Sequence, residues 1–301
     1  MAPFMDIGVI LPTVAAQRAQ RLDLGTAARH AEEAGLDGVW HGDHLATGTA
    51  SLDCAVALAV AAGATTRIRI GIGTSVFIPA IRPLAWAAKQ VASLQHVSGG
   101  RLVLGVGSGG GAGQWAAAGV PYGERGRRTD TALELLGRLL AGETVALVDE
   151  PGEVRLEPAV TPPPIWVGNA SAVAVRRAAR HGDGWFPSMI PPAAVASGRA
   201  RLTELAAAHG RPEPVVAIGA AGVLGSAPGL PTRESIASGI TGYGIPLEEA
   251  MRLPVTGEPA RAAEQLAAYH EAGARHVVMG FAGGDWREQC DLLAEARALL
   301  S

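Results

Sequence analysis

The chain has 301 residues, of which 48% are hydrophobic, and carries a formal net charge of −3 at pH 7. That apolar content is enough for one large core, and the lack of a basic run or stripe argues against a nucleic-acid partner. Cys54 and Cys290 lie far apart in sequence and read as buried free thiols of a reducing compartment. The N-terminus, MAPFMDIGVILP, has no basic region followed by a signal-length apolar segment. The apolar run 55–64 is too short to span a bilayer. A cytoplasmic protein without a membrane partner is expected.

Residues 6–12, DIGVILP, have the pattern of a buried strand closed by proline. Residues 24–35 are helical, with alanines on one face and Gly35 as the stop. A second strand over 36–40 runs into His41-Gly42-Asp43-His44, and an alanine-rich helix follows over 51–62. Residues 68–111 form the organising stretch: a β-branched strand, IRIGIGTSV, a helix over 81–96 with Pro83 in its first turn, and a strand over 101–106. Two buried strands joined by a helix imply a parallel βαβ unit. The second strand opens into a glycine cluster, where backbone can approach a ligand closely.

A leucine-rich helix is predicted over 125–140, with a basic start that calls for a nearby acid or anion. Residues 143–163 read as an excursion with a short hairpin. Then come a strand over 165–168, a helix over 172–181, and strands over 184–187 and 215–224. Residues 226–254 do not alternate cleanly and read as an inserted segment with short helices that shapes the substrate pocket. A helix over 259–273, a strand over 276–281 and a helix over 286–300 close the chain. Eight strands, each followed by a helix or an insertion, point to an α/β fold. The expected architecture is a TIM (β/α)8 barrel with insertions, one domain over residues 1–301, with its site at the strand C-terminal ends.

Three clusters sit at such ends. Asp43 and His44 follow the second strand, and histidine donates or accepts protons near neutral pH. Gly168-Asn169-Ala170-Ser171 precedes a helix, where backbone N–H groups and a hydroxyl suit an anion; Ser171 alone also reads as a simple cap. Residues 105–110 formally match G-x-G-x-x-G, but a lone match is weak, and the following AGQWAAAG is a poor helix opening. No His/Cys cluster has metal-ligand spacing, so no metal site is expected.

The run GTSVFIPAIRP…SLQHVSGGRLVLGVGSG resembles the luciferase-like flavin- and deazaflavin-dependent oxidoreductases. Gln95 departs from that family's aspartate at the turn before Arg101. The resemblance implies that Asp43 and His44 flank a cofactor ring, with His44 the better proton donor. It places Thr74, Ser75 and Val76 behind the ring, with a cis Ser75–Val76 peptide, Ser108 and Gly109 along the cofactor tail, and the phosphate on residues 168–171. Gly110, Gly111 and Gly113 stand where relatives carry larger side chains. Gly110 takes the place of the acid of the sugar-phosphate dehydrogenase branch, which suggests a roomier pocket with Trp115 beside it. The implied activity is F420-dependent hydride transfer between reduced deazaflavin and an activated C=C, C=N or carbonyl group of a small molecule or peptide, as in natural-product biosynthesis. The alternatives are an FMN-dependent monooxygenase and a non-catalytic flavin-binding barrel. A homodimer formed through barrel helices is a further implication.

Overall fold

The computed structural model describes residues 4–147 and 152–300. Residues 1–3, part of the stretch read for a signal segment, the tip of the expected 143–163 hairpin and Ser301 lie outside the described residues. Short apolar runs rich in Val, Ile and Gly form strands buried on both faces. These are β1 (Asp6–Ile10), β2 (Gly38–His41), β3 (Arg69–Phe77), β4 (Leu102–Val106), β5 (Ile165–Gly168), β6 (Gly184–Phe186), β7 (Val215–Leu224) and β8 (His276–Phe281). Each pairs in parallel with the next, and β8 pairs with β1. The sheet therefore closes as an eight-stranded parallel barrel, as the strand count predicted.

Helices Leu24–Glu33, Cys54–Ala64, Leu84–Val97, Arg125–Leu140, Ala172–His181, Pro259–Glu271 and Trp286–Ala298 follow the strands where the sequence placed them. Asp23, Asp53, Ser171 and Asp285 cap four of them by accepting first-turn N–H groups. The basic start of Arg125–Leu140 finds its acid in Glu124, which pairs with Arg127 and Arg128 at 3.2 and 3.6 Å. Elements not predicted include helix Val14–Gln20, the short helix Ala112–Ala117, helix Pro192–Ala208, and a strand Val255–Gly257 that adds in parallel to the end of β7. The hairpin after residue 143 has one two-residue pairing, Val145–Ala146 with Glu153–Val154. Both cysteines are buried and free. No helix among the described residues is long and apolar enough to cross a membrane.

The segment 226–254 carries helices Arg233–Ile240 and Leu247–Ala250 around a small core of Ile236, Ala237, Ile240, Ala250 and Leu253, which it shares with Val223 of β7 and against which Met189 packs. Arg233 donates to the Met251 carbonyl, Thr256 Oγ1 and Gln265 Oε1 at 3.2, 2.7 and 2.7 Å, which stitches the segment to the strand and helix that follow it.

The main core fills the space between strands and helices. A second cluster fills the barrel itself: Trp40, Val103, Trp166, Phe186, Ala217 and Val278. The Trp40 and Trp166 rings stack with centroids 5.4 Å apart, and Phe186 meets both edge-on. Glycine makes this possible. A Cβ added at Gly8, Gly71 or Gly73 would collide with Trp40, and one at Gly184 with Trp166. The glycine interruptions of IRIGIGTSV are thus the recess that receives an indole. Gly71→Ala is expected to destabilise the protein by about 1–3 kcal/mol through overpacking. Gly63→Ala, on an exposed helix position with no neighbour within 4 Å, is expected to be neutral or stabilising by up to about 1 kcal/mol. Urea unfolding of the pair checks this; equal midpoints would remove the indole recess as the reason for Gly71.

Candidate active site

The floor of the site comes from the end of β3. Its register with β4 shifts between Ile72 and Phe77, and Thr74 adopts φ +63°. The resulting bulge brings Thr74, Ser75 and Val76 to the C-terminal mouth of the barrel. The Ser75–Val76 peptide is trans, contrary to the expectation from resemblance; the cis bond among the described residues is Glu157–Pro158. The bulge is formed by the left-handed Thr74 instead. Val76 sits in a pit: a Cβ added at Gly105, Gly107 or Gly168 would lie 2.9, 2.6 or 2.7 Å from its side chain. Three glycines from β4, the loop after it and β5 thus let one valine sink into the floor.

Beside this floor the β2 strand ends in His41-Gly42-Asp43-His44. Asp43 is 5% exposed, and its carboxylate is occupied. It accepts the Ile78 N–H at 2.9 Å, the Arg82 Nη2 at 2.9 and 3.0 Å, and the Cys54 thiol at 3.7 Å. Its own N–H donates to the Ser75 carbonyl at 2.8 Å. The side chain expected at the ring edge is therefore a strut that ties the His44 loop to β3 and the turn after it. Burial, reinforced by the Asp43 charge, pushes the Cys54 thiol well up, so it stays protonated.

His44 is half-buried, and its Nδ1 is buried without a hydrogen-bond partner in the protein. Burial pulls its pKa below the ordinary histidine value; the neighbouring Asp43 charge opposes this but does not prevail. The imidazole is therefore mostly neutral at pH 7, with Nδ1 enclosed and unpaired among the described residues. His41 donates from Nδ1 to the Gly42 carbonyl at 2.8 Å, and burial likewise lowers its pKa.

The β4 loop forms another wall. Gly109 has φ +64°, and a Cβ there would press on Ile78, so this glycine is required by backbone and space. Gly110, Gly111 and Gly113 are exposed with no neighbour within 4 Å. Ser108 lies beside them, and its carbonyl accepts the Trp115 Nε1–H at 3.1 Å. Trp115 was expected in the pocket. It is 0% exposed, packed with Ile78, Ala80 and Ile81, and supports the loop from behind. Past β5, Asn169 takes φ +85°; its Oδ1 accepts the Ser171 N–H at 2.8 Å, and its carbonyl accepts the Trp185 Nε1–H at 2.9 Å. Ala170, Ser171, Ala172 and Val173 are exposed. The Ser171 hydroxyl accepts the first-turn Ala174 N–H at 3.3 Å, and the start of the helix lies at the surface, where a helix N-terminus suits an anion. No group of three metal-ligating side chains occurs among the described residues.

Residues 5–228 match the model of the luciferase-like monooxygenase family. The chain belongs to that family. It is 33% identical over 178 residues to an F420-dependent glucose-6-phosphate dehydrogenase of Amycolatopsis mediterranei, covering 54% of this chain and 52% of that one. The matches span about half the length of the curated relatives. Among solved structures, an F420-dependent secondary alcohol dehydrogenase in complex with an F420–acetone adduct superposes with TM-score 0.82 over 99% of both chains, at 17% identity. The oxygenating constituent of 3,6-diketocamphane monooxygenase from Pseudomonas putida, in complex with FMN, superposes with TM-score 0.73 over 96% of both chains, at 16% identity. These likenesses show the shared barrel, and family members use F420 or FMN.

Within this luciferase-like barrel, two residues around His44 escaped the sequence reading. Arg82 lies inside the quoted Ile-Arg-Pro run, but its partner, Asp43, is 39 residues away. Gln114 follows the glycine loop, and its Oε1 accepts the Leu45 N–H at 3.0 Å. Arg82→Met is expected to destabilise the protein by about 3–5 kcal/mol, because it strands a buried carboxylate. The double variant Arg82→Met/Asp43→Asn should lose clearly less than the sum of the single variants. Additive losses in chemical denaturation would show that the two side chains do not depend on each other.

Proposed function

We propose that the protein is an F420-dependent oxidoreductase that moves a hydride between reduced deazaflavin and an activated C=C, C=N or carbonyl group. The observation that carries this reading is His44: a neutral imidazole at the barrel mouth, with a buried, unpartnered Nδ1, next to a flat floor and at the same end of the barrel as an exposed helix N-terminus. The residues present fit such a cofactor. Val76 and its glycine pit provide a surface for a planar ring, Thr74 and Ser75 flank it, and Ser108 and Gly109 suit the tail. Residues 168–171 and the first-turn N–H groups suit a phosphate. The bound deazaflavin would supply the hydride-carrying carbon.

The chain's own residues supply orientation and a proton. His44 accepts a proton at Nε2, the ring nitrogen other than the enclosed Nδ1, from a substrate hydroxyl in the oxidising direction and returns it in the reducing direction. Gly110 offers no carboxylate for proton transfer, which separates the proposed chemistry from that of the sugar-phosphate dehydrogenase relative. The open space over Gly110, Gly111 and Gly113 suits a bulky small molecule or peptide.

Titration with F420 and FMN separately tests the cofactor. Tight F420 binding with turnover that does not need oxygen is expected. FMN binding with oxygen-dependent turnover would establish the monooxygenase instead, and binding without turnover a flavin-binding barrel. His44→Ala is expected to lower kcat by about 10²–10⁴-fold with little loss of cofactor affinity. In the oxidising direction the base form is required. Because burial lowers the His44 pKa, the rate should hold at pH 7 and fall only below the ordinary histidine range; a fall beginning above it would assign the limb to another group. Ser171→Asp should keep the melting temperature, since aspartate is also a good cap. Its carboxylate would compete for the helix N-terminus and weaken F420 binding by on the order of tenfold. Equal F420 affinity in variant and parent would move the phosphate elsewhere.

A further inference from the structure

His44 has no hydrogen bond of its own at Nδ1, so its place is set by the residues on either side of it. On one side Asp43 is held by Ile78, Arg82 and Cys54. On the other side Leu45 is 52% exposed, so packing of its side chain does little to hold it. What holds Leu45 is its backbone N–H, which donates to Gln114 Oε1, 69 residues further along the chain.

Gln114 is 9% exposed. Buried amide side chains are paired, and this one is paired with the loop that carries His44. It sits in the helix Ala112–Ala117, which starts at Gly111 without a side-chain cap. Six residues do not sustain a helix alone. Trp115, the next residue, anchors this one among Ile78, Ala80 and Ile81, with its Nε1–H on the Ser108 carbonyl. The Gln114 N–H donates to the Gly111 carbonyl at 3.2 Å. Gln114 therefore belongs to the glycine loop through its backbone and to the His44 loop through its side chain.

We infer that Gln114 is a positioning residue that couples the glycine loop to His44, so that a substrate seated over Gly110, Gly111 and Gly113 sets the imidazole through the Gln114–Leu45 hydrogen bond. The inference rests on the proton-transfer role proposed for His44. It gives the glycine loop two roles at once, with space for substrate on its outer side and support for the acid–base residue on its inner side.

Two measurements on the full-length protein need no ligand. One is amide hydrogen exchange at Leu45; the other is the titration of His44 followed by NMR with labelled histidine. Gln114→Met keeps the length of the side chain and removes the acceptor. It is expected to raise Leu45 exchange about tenfold or more and to move the His44 pKa up towards its ordinary value, as the loosened imidazole meets water. Gln114→Glu keeps an acceptor oxygen at the same reach and should restore Leu45 protection. Melting curves check that the variants fold, and Gln114→Ala serves if Gln114→Met does not. In oxidation of reduced F420 by α,β-unsaturated carbonyl compounds, Gln114→Met should lower kcat about tenfold with F420 affinity unchanged, and Gln114→Glu should recover most of it. Unchanged Leu45 exchange and His44 titration in Gln114→Met would overturn the inference. So would faster Leu45 exchange with kcat intact while His44→Ala still abolishes turnover; that result would leave the function of His44 standing. If His44→Ala leaves turnover intact, the proposed role of His44 falls, and the positioning role falls with it.

Discussion

The stack of Trp40 on Trp166 inside the barrel is the contact on which the rest of the structure depends. A small eight-stranded barrel must fill its interior with side chains. Here two indoles and Phe186 fill it. Such bulk fits only because β1, β3 and β6 offer glycine where the rings lie. The same exchange recurs one layer higher, where Gly105, Gly107 and Gly168 accommodate Val76. The barrel is thus built as alternating layers of large residues and vacant Cβ positions. The uppermost of these layers, Val76 among its three glycines, lies at the C-terminal mouth of the barrel.

Above the floor, charge and hydrogen bonding take over from volume. The Asp43–Arg82 pair lies in a buried layer, with the Arg82 guanidinium also over the Phe77 ring at 4.5 Å. A carboxylate so enclosed needs several donors, and it has a backbone N–H, a guanidinium and a thiol. The neighbouring imidazole has no such partner and is held neutral by burial. Adjacent residues in one loop have therefore been divided into a group that is satisfied and a group that is not. Such a division within one loop is what marks this strand end as the candidate site.

Much of the fold was legible in the sequence because the barrel strands are short, apolar and bounded by turn residues. Ile165–Gly168, Val215–Leu224 and His276–Phe281 fell on the expected residues, as did helices Arg125–Leu140 and Ala172–His181. Helix Pro192–Ala208 was not legible. Its alanines surround the axis, and Val195, Leu202 and Ala206 alone are buried, so no apolar stripe marks it. The added strand Val255–Gly257 has three residues and depends on β7 for its existence. The place of His44 just past the end of β2 was legible from the strand pattern. Thr74 takes its left-handed turn where the sequence suggested an ordinary strand end or a cis peptide, since neither side-chain type announces the bulge. Arg82, Gln114 and the occupied state of Asp43 come from contacts across long stretches of chain, which no local pattern encodes.

The anchoring of the segment between β7 and the following helix has a consequence for how such a protein diversifies. Arg233 binds the carbonyl of Met251 near the segment's far end and, through Thr256 and Gln265, the framework beyond it. The segment shares its apolar centre with the barrel through Val223 of β7 alone among the buried members of that cluster. It is closed at its base like a drawstring, so residues in its interior are replaceable without reaching the barrel's indole layer. Length and sequence can drift there while the barrel's ring layer and the helix Ala172–His181 stay constant. Variation within this luciferase-like barrel can thus be confined to one cassette, apart from the glycine-lined interior.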